Sequence, residues 1–406
     1  MQHSFAIVLL TKGIFGGAEK RFTQLFEYLS RYYPGEYYLI ITRDLYNKIP
    51  GVFPNCPTRY VIPIGKNDTH IKNKTAKSVK SKSDGIKHPG FLKQIYRYIR
   101  NYRIQKSYYR EIDQIRKEKN IKCFLGVYNG IFPLYFYLMK KKRDIGIIFC
   151  DMDSWFSDIL PKEKKYWYRK FSSFNYALEN SDHIDFLSPF ILEGIRYRGI
   201  EVKEESVSIT PCSFTDYSKC RKGNKSIFQA AFAGRLEKDK NPDVFVEAAI
   251  NLSKKYPDII YHIMGEGRLT SDIKERVDNY GSGNILFHGF HSNPAEILAE
   301  TSVFVSIQTT NNYPSQSVLE AMGCGNAIIA TDVGDTRMFI NKENGLLIKL
   351  NVDELINAIE TLYLNRELRE KLGNYAYSYV REYHTIEKMA DYYVNLFNNT
   401  AIGGFN

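Results

Sequence analysis

Residues 228–267 read FQAAFAGRLEKDKNPDVFVEAAINLSKKYPDIIYHIMGEG, and their pattern decides the fold. The first segment, FQAAFAGRL (228–236), is an apolar run that ends in Gly-Arg. Continuous apolar stretches of this length suit a strand buried on both faces. PDVFVEAAINLSKKY (242–256) follows with apolar residues at helical spacing, and its Pro242 suits a first helical turn. A second apolar run, IIYHIMGEG (259–267), closes on a G-x-G turn. Strand, helix and strand joined by short glycine loops predict a parallel sheet with crossover helices. The same grammar continues with strands expected at 285–290, 303–308 and 327–332, and helices at 294–301, 353–363 and 366–383. The expectation for this half is a doubly wound parallel sheet.

The first half opens the same way. FAIVLL (5–10) reads as a buried strand, KGIFGGAEK (12–20) as a glycine loop, RFTQLFEYLSRYY (21–33) as a helix and YYLIIT (37–42) as the next strand. Further strands are expected at 122–127, 145–150 and 183–187, with helices at 91–117 and 162–180. A chain of 406 residues exceeds one ordinary core. The predicted class is α/β, with two Rossmann-like doubly wound domains at 1–210 and 226–385 facing across a cleft. A hinge falls within 206–225, and a C-terminal helix within 386–406 is expected to pack back on the N-terminal domain. Ligands of open α/β sheets bind at the carboxyl ends of the strands.

Composition narrows the class. Hydrophobic content of 44% and charged content of 25% describe a folding globular chain. No segment approaches the ~18–20 apolar residues of a membrane span, and the N-terminus lacks the basic region and cleavage site of a signal peptide. The cysteines at 56, 123, 150, 212, 220 and 324 form no CxxC pair. That fits a reducing compartment and neither a zinc site nor a disulfide framework. The expected location is cytoplasmic.

The window 66–122 holds 17 Lys and Arg against 5 Asp and Glu, an excess of 12 that exceeds the whole chain's net charge of +11. The basicity therefore belongs to one surface, within an insert at 66–117. Residues 66–90 are polar and Lys-rich, as in a loop. Residues 91–110, FLKQIYRYIRNYRIQKSYYR, interleave basic and aromatic residues on an expected amphipathic helix. Such a helix reads as a membrane-surface anchor or as a core helix with a solvated basic face. No recognised RNA or DNA module accompanies it, so nucleic acid is not expected as a partner.

Four stretches could carry chemistry. In GIFGGAEK (13–20) the glycines let backbone N–H groups approach an anion, or simply make a tight turn. In GRLEKDKN (234–241), Arg235 and Lys240 follow a strand end, either as a diphosphate clamp or as two surface cations. NNYPSQSVLEAMGCG (311–325) leads through Ser315, Gln316 and Ser317 into a helix whose free N–H groups favour phosphate. Glu320, a turn further on, would accept from vicinal hydroxyls such as a ribose's, or is an exposed helix acid. In CDMDSW (150–155), Asp151 and Asp153 are a DxD metal clamp or ordinary loop acids.

The combination of GGAEK, GRLEKDKN, IMGEG, FHGF and NNYPSQSVLEAMGCGNAIIATDVGD resembles the retaining glycosyltransferases of family 4, which have the GT-B architecture. Order and spacing correspond across roughly 226–350; the first half corresponds at its glycine loop and general layout. The resemblance implies transfer of a sugar from a UDP- or GDP-sugar with retained configuration. It implies that Arg235 and Lys240 neutralise the donor diphosphate. The backbone at Ser315–Ser317 would meet the β-phosphate, with Gly16 and Gly17 approaching from the other domain. Glu320, the second acid of an E-x7-E motif, would bind ribose, and Gly265 and Phe290 would border the base. Two positions depart from the pattern: Asn312 stands where the first acid belongs, and Cys150-Asp151 where a His-Asp pair is common. Asp151 is carried as a candidate catalytic residue. With two cations at the diphosphate, no metal or other cofactor is expected. The expected acceptor is a glycan or a lipid-linked saccharide of cell-surface polysaccharide biosynthesis, including capsule or lipopolysaccharide. The protein would then lie peripherally on the anionic inner face of the plasma membrane. Alternatives are another GT-B enzyme, such as a nucleotide-sugar epimerase, or a non-catalytic binding protein.

Overall fold

The computed structural model describes residues 4–11, 17–65, 91–140, 143–151, 173–197, 199–311, 313 and 315–401, with backbone alone at 91–95, 97, 98, 151 and 173. The chain divides into two compact units. The first gathers Met1–Leu187, Ile191–Ile209 and Ala390–Asn406; the second gathers Ser188–Phe190 and Thr210–Met389. The division at 209/210 falls within the stretch read as a hinge.

The first unit is built on a seven-stranded sheet. Its strands are β1 (Ser4–Leu9), β2 (Glu36–Thr42), β3 (Val61–Ile64), β4 (Ile121–Val127), β5 (Gly146–Asp151), β6 (His183–Phe186) and β7 (Val207–Ile209), in the order β3-β2-β1-β4-β5-β6-β7. Every pairing is parallel. All six residues of β1 are buried, which is why the segment is apolar throughout rather than alternating. Helix Gly17–Tyr32 lays Phe22, Leu25, Phe26 and Leu29 inward at i, i+3, i+4 and i+7. One face of the sheet buries Val8, Ile40, Phe124, Phe149 and Phe186 in a single cluster.

The last helix, Ile386–Ala401, has most of its length in the first unit. Its anchor is Asp185 on β6, a fully buried carboxylate. Asp185 accepts from Tyr393 Oη at 2.7 Å, Tyr392 Oη at 2.5 Å and Ser208 Oγ at 3.0 Å. Phe397 stacks on Phe5 of β1 with ring centroids 5.0 Å apart. Two tyrosines and a serine thus satisfy one buried acid.

The second unit holds a six-stranded sheet of β8 (Gln229–Ala233), β9 (Ile260–Met264), β10 (Ile285–Gly289), β11 (Val303–Ser306), β12 (Ala327–Thr331) and β13 (Gly345–Ile348), in the order β10-β9-β8-β11-β12-β13. All of its pairings are parallel as well. Helices Pro242–Lys255 and Val352–Leu364 cover one face around Phe245, Tyr261, Ile329 and Leu355. Helices Gln316–Gly323 and Arg366–Tyr383 cover the other around Leu319, Met322, Phe304 and Val380. Burial on both faces makes every central strand an apolar run, as the sequence pattern requires.

Some boundaries differ from the sequence reading. The strand expected at 228–236 ends at Ala233, so Arg235 lies past it, on a loop. Helix Phe91–Lys119, expected at 91–117 as either a surface anchor or a core helix with a solvated basic face, differs between its two halves. Its second half does pack, with Ile112 buried and Tyr109 and Ile115 against the core. Among the described side chains of its first half, Tyr96, Ile99, Tyr102 and Ile104 are exposed, with Tyr102 edge-on to the Phe136 ring at 5.4 Å. Of the helix expected at 162–180, Ser173–Asn180 is helical and the earlier part lies outside the described residues, as does most of the loop expected at 66–90. All six cysteines are buried and free. Among the described residues, no helix is long and apolar enough to cross a membrane.

Candidate active site

In the second unit the strand order reverses direction between β8 and β11. At such a switch point, the loops leaving the two strands part in opposite directions and open a crevice at the carboxyl edge. The β8 loop (234–241) carries Arg235 and Lys240; the β11 loop leads into helix Gln316–Gly323.

Backbone and side-chain bonds join these two loops. Thr309 N–H donates to the Asp239 carbonyl at 3.1 Å. Asn241 Nδ2 donates to the Ile307 carbonyl at 3.3 Å and to Thr309 Oγ1 at 3.1 Å. Asn241 itself is left-handed, with φ 48° and ψ 47°, a conformation Asn tolerates better than most residues. It turns the chain directly into Pro242 of the next helix and sets the residue before it, Lys240.

Lys240 and Arg235 differ in exposure. The Lys240 side chain is 15% exposed and that of Arg235 72%. Both face Asp239: its Oδ2 lies 3.9 Å from Lys240 Nζ and 4.0 Å from Arg235 Nη2. Burial pushes the Lys240 ammonium down to about 8; Asp239 opposes that fall, and Arg235 adds to it. The sequence reading missed Asp239, which holds the two cations on one carboxylate.

Three backbone approaches close the other side of the β8 edge. Gly234 N–H donates to the Met264 carbonyl at 3.0 Å, and Gly265 N–H to the Gly289 carbonyl at 2.7 Å. Gly265 has φ +132°, and a Cβ there would stand 1.8 Å from the Gly234 carbonyl oxygen. Only glycine fits. Phe290, just past β10, is 73% exposed.

Ser315 is the N-cap of helix Gln316–Gly323, with extended φ −77° and ψ 121°. Its hydroxyl does not cap the helix; Ser315 Oγ and Ser317 Oγ lie 3.1 Å apart. The N–H groups of the first turn are the kind that bind an anion. The Gln316 side chain is already engaged, donating to the Phe214 carbonyl at 3.0 Å. Glu320 Oε1 lies 3.5 Å from Thr215 Oγ1, a second partner the sequence reading did not find.

The structure thus brings Arg235, Lys240, Gly265, Phe290, Ser315, Gln316 and Ser317 to one edge of one sheet, with Glu320 a turn into the helix that starts there. Gly17 opens helix Gly17–Tyr32 of the first unit, with open space where a Cβ would be. Asp151 ends β5 of that unit, and its side chain lies outside the described residues. So do Gly16 and Asn312.

Comparison with known proteins bears on this edge. Residues 219–379 match the family described as Glycosyl transferases group 1. Over that segment the chain is similar to glycosyltransferases of this group. It is 27% identical over 280 residues to an uncharacterized glycosyltransferase of Methanocaldococcus jannaschii, covering 64% of this chain and 68% of that protein. It is 24% identical over 281 residues to a poly(ribitol-phosphate) alpha-N-acetylglucosaminyltransferase of Staphylococcus aureus, covering 66% of this chain and 54% of that one. The chain thus spans about half the length of the staphylococcal enzyme. Among solved structures, the Anabaena HepE protein in complex with UDP superposes with a TM-score of 0.69 at 14% identity, over 98% of this chain and 100% of that one. That likeness fixes the fold of the chain as GT-B. The matched segment contains the whole β8–β11 edge.

Proposed function

We propose that the protein is a retaining glycosyltransferase of family 4. It takes a sugar from a UDP- or GDP-sugar and passes it to a glycan or lipid-linked acceptor in cell-surface polysaccharide biosynthesis. One observation carries the reading: Arg235 and Lys240 after β8 and the open helix start at Ser315–Ser317 after β11 flank the strand-order switch. A diphosphate meets cations from one loop and amides from the other.

In this reading the bond between the sugar's anomeric carbon and the β-phosphate oxygen breaks, and negative charge grows on that phosphate. Arg235, Lys240 and the helix amides are in place before the charge develops, which is where electrostatic catalysis gains most. The acceptor oxygen bonds the anomeric carbon on the face the leaving group vacates, and its proton passes to the departing phosphate. Glu320 accepts from the ribose hydroxyls. Two cations neutralise the diphosphate without a divalent metal.

The acceptor reading rests on the first unit. Helix Phe91–Lys119 exposes Tyr96, Ile99, Tyr102 and Ile104 beside the exposed cations Arg100, Arg103 and Lys106. Apolar rings among cations suit the inner face of a plasma membrane with anionic lipids, or a diphosphate-linked lipid.

A thermal-shift panel of UDP- and GDP-sugars tests the donor reading. One nucleotide class should raise the melting midpoint of the protein, and much less so in Glu320→Ala. A panel without any response, or an inverted anomer in the transfer product, overturns it.

A further inference from the structure

The other edge of the second sheet holds a cavity of about 180 Å³. Lys222 and Lys225 precede β8, Ser302 directly precedes β11 and Gly325 precedes β12, so the cavity lies at the amino ends of the strands. The candidate active site lies at the carboxyl ends.

Three cations line this cavity. Lys225 Nζ donates to the Gly325 carbonyl at 3.0 Å and to the Thr301 carbonyl, which leaves one of its three N–H donors. Arg369 is 9% exposed and donates through Nη1 to the Leu362 carbonyl at 2.5 Å and the Tyr363 carbonyl at 3.2 Å. Lys222 Nζ donates to Asn374 Oδ1 at 2.8 Å and sits 4.3 Å from the centre of the Tyr377 ring. None of the three belongs to an ion pair of the described residues. The one carboxylate in the lining, Glu370, is paired with Arg366 at 2.6 Å. Ser302 is 2% exposed, and its hydroxyl has no hydrogen-bond partner among the described residues.

Lys225 and Arg369 are desolvated outside any ion pair, with Glu300 and Glu370 acting on them only from a distance, and a buried hydroxyl without a partner adds a further cost. One kind of guest relieves both. A small oxyanion accepts from ammonium, guanidinium and hydroxyl groups together, and its charge offsets theirs. We propose that this cavity is a binding site for a phosphate-class oxyanion, distinct from the donor diphosphate site. Burial pushes the Lys225 ammonium down to about 7, and an anion in the cavity would restore its charge.

The test uses the full chain carrying Lys240→Ala, which weakens phosphate binding at the candidate active site and keeps the two sites separable. Inorganic phosphate is titrated by thermal shift against chloride at matched ionic strength. Phosphate should raise the midpoint where chloride does not. Lys222→Gln and Ser302→Ala should each weaken the apparent affinity about tenfold, the scale of one charge-assisted hydrogen bond. Lys222 is exposed and Ser302→Ala is a small change, so both variants should fold. Glycerol phosphate, run in parallel, distinguishes the free ion from an esterified phosphate; a response to either that Lys222→Gln removes supports the site. If phosphate acts no better than chloride, or both variants titrate like their parent, the site does not exist.

Discussion

Replacing Lys240 by Met separates what this residue does for the fold from what it does for the reaction. Lys240 is buried among the turns that follow β8, and burial moves its ammonium from 10.5 down to about 8. At ~1.4 kcal/mol per pH unit, holding it charged at neutral pH costs the fold about 3 kcal/mol. Methionine keeps most of the stem and removes the charge. Asp239 loses a partner, so the net gain for Lys240→Met is ~1–3 kcal/mol at pH 7. For a unit of this size that is a rise of roughly 2–4 °C per kcal/mol in its melting midpoint. The sign with pH follows from linkage. Lys240 in the folded chain gives up its proton near 8, and in the unfolded chain near 10.5. Between those values the unfolded chain holds more protons, so the wild type gains stability as pH rises and the Met variant does not. The advantage of the variant is therefore full below about pH 8 and fades above it. Calorimetry at pH 7 and pH 9.5 measures both points, and donor turnover should fall at least ~10²-fold in the same variant. A variant less stable than wild type at pH 7, or a gap that does not narrow at pH 9.5, refutes the burial argument. Near-normal turnover refutes the role in leaving-group stabilisation.

Gly265→Ala puts a methyl group 1.8 Å from the Gly234 carbonyl oxygen at φ +132° and should cost ~3 kcal/mol or more in urea unfolding. Asp185→Ala leaves the hydroxyls of Tyr392, Tyr393 and Ser208 without their shared acceptor and should cost ~2–4 kcal/mol, with Asp185→Asn losing less; an unchanged urea midpoint for the Ala variant would speak against the anchor. Changing Arg100, Arg103 and Lys106 to Gln should weaken co-sedimentation with anionic vesicles by about 1 kcal/mol per cation at low salt. Binding that ignores both the substitutions and added salt would refute an electrostatic surface.

Both sheets are readable in the sequence because parallel strands covered on two faces must be apolar throughout, as in FAIVLL and AIIATD. The strands that escape reading are β3 (VIPI), β7 (VSI) and β13 (GLLI), all at sheet edges and three or four residues long. An edge strand has one neighbour and less surface to bury, so its pattern is short, and Pro63 within β3 masks it further. Helix Ile131–Leu138 is nearly all apolar and shows no period, while Thr270–Tyr280 buries only Ile273 and Val277. Neither has the stripe that periodicity detects. At the site, the positions of Arg235, Lys240 and Ser315 after strand ends are local and legible. Thr215 against Glu320 and Asn241 across to Thr309 are not, because each pairing is made by chain segments that meet only when the sheet has formed; Asp239 is local to its two cations, but its spacing alone does not show that one carboxylate faces both.

Those illegible features share a location, and the location is informative. In the second unit the strands, helices and caps follow local preference almost throughout. Two departures fall together in 235–241: a lysine held in a buried place against its charge, and a non-glycine residue in the left-handed region beside it. Each raises the energy of the fold, and Asn241 is fixed there by bonds to the loop across the switch point. Two such costs side by side in one loop are kept for something other than stability. A cation already desolvated, already oriented and flanked by a fixed loop needs little rearrangement when charge develops on a phosphate beside it. The loop's own geometry thus supports the proposed diphosphate site at this edge without appeal to any relative.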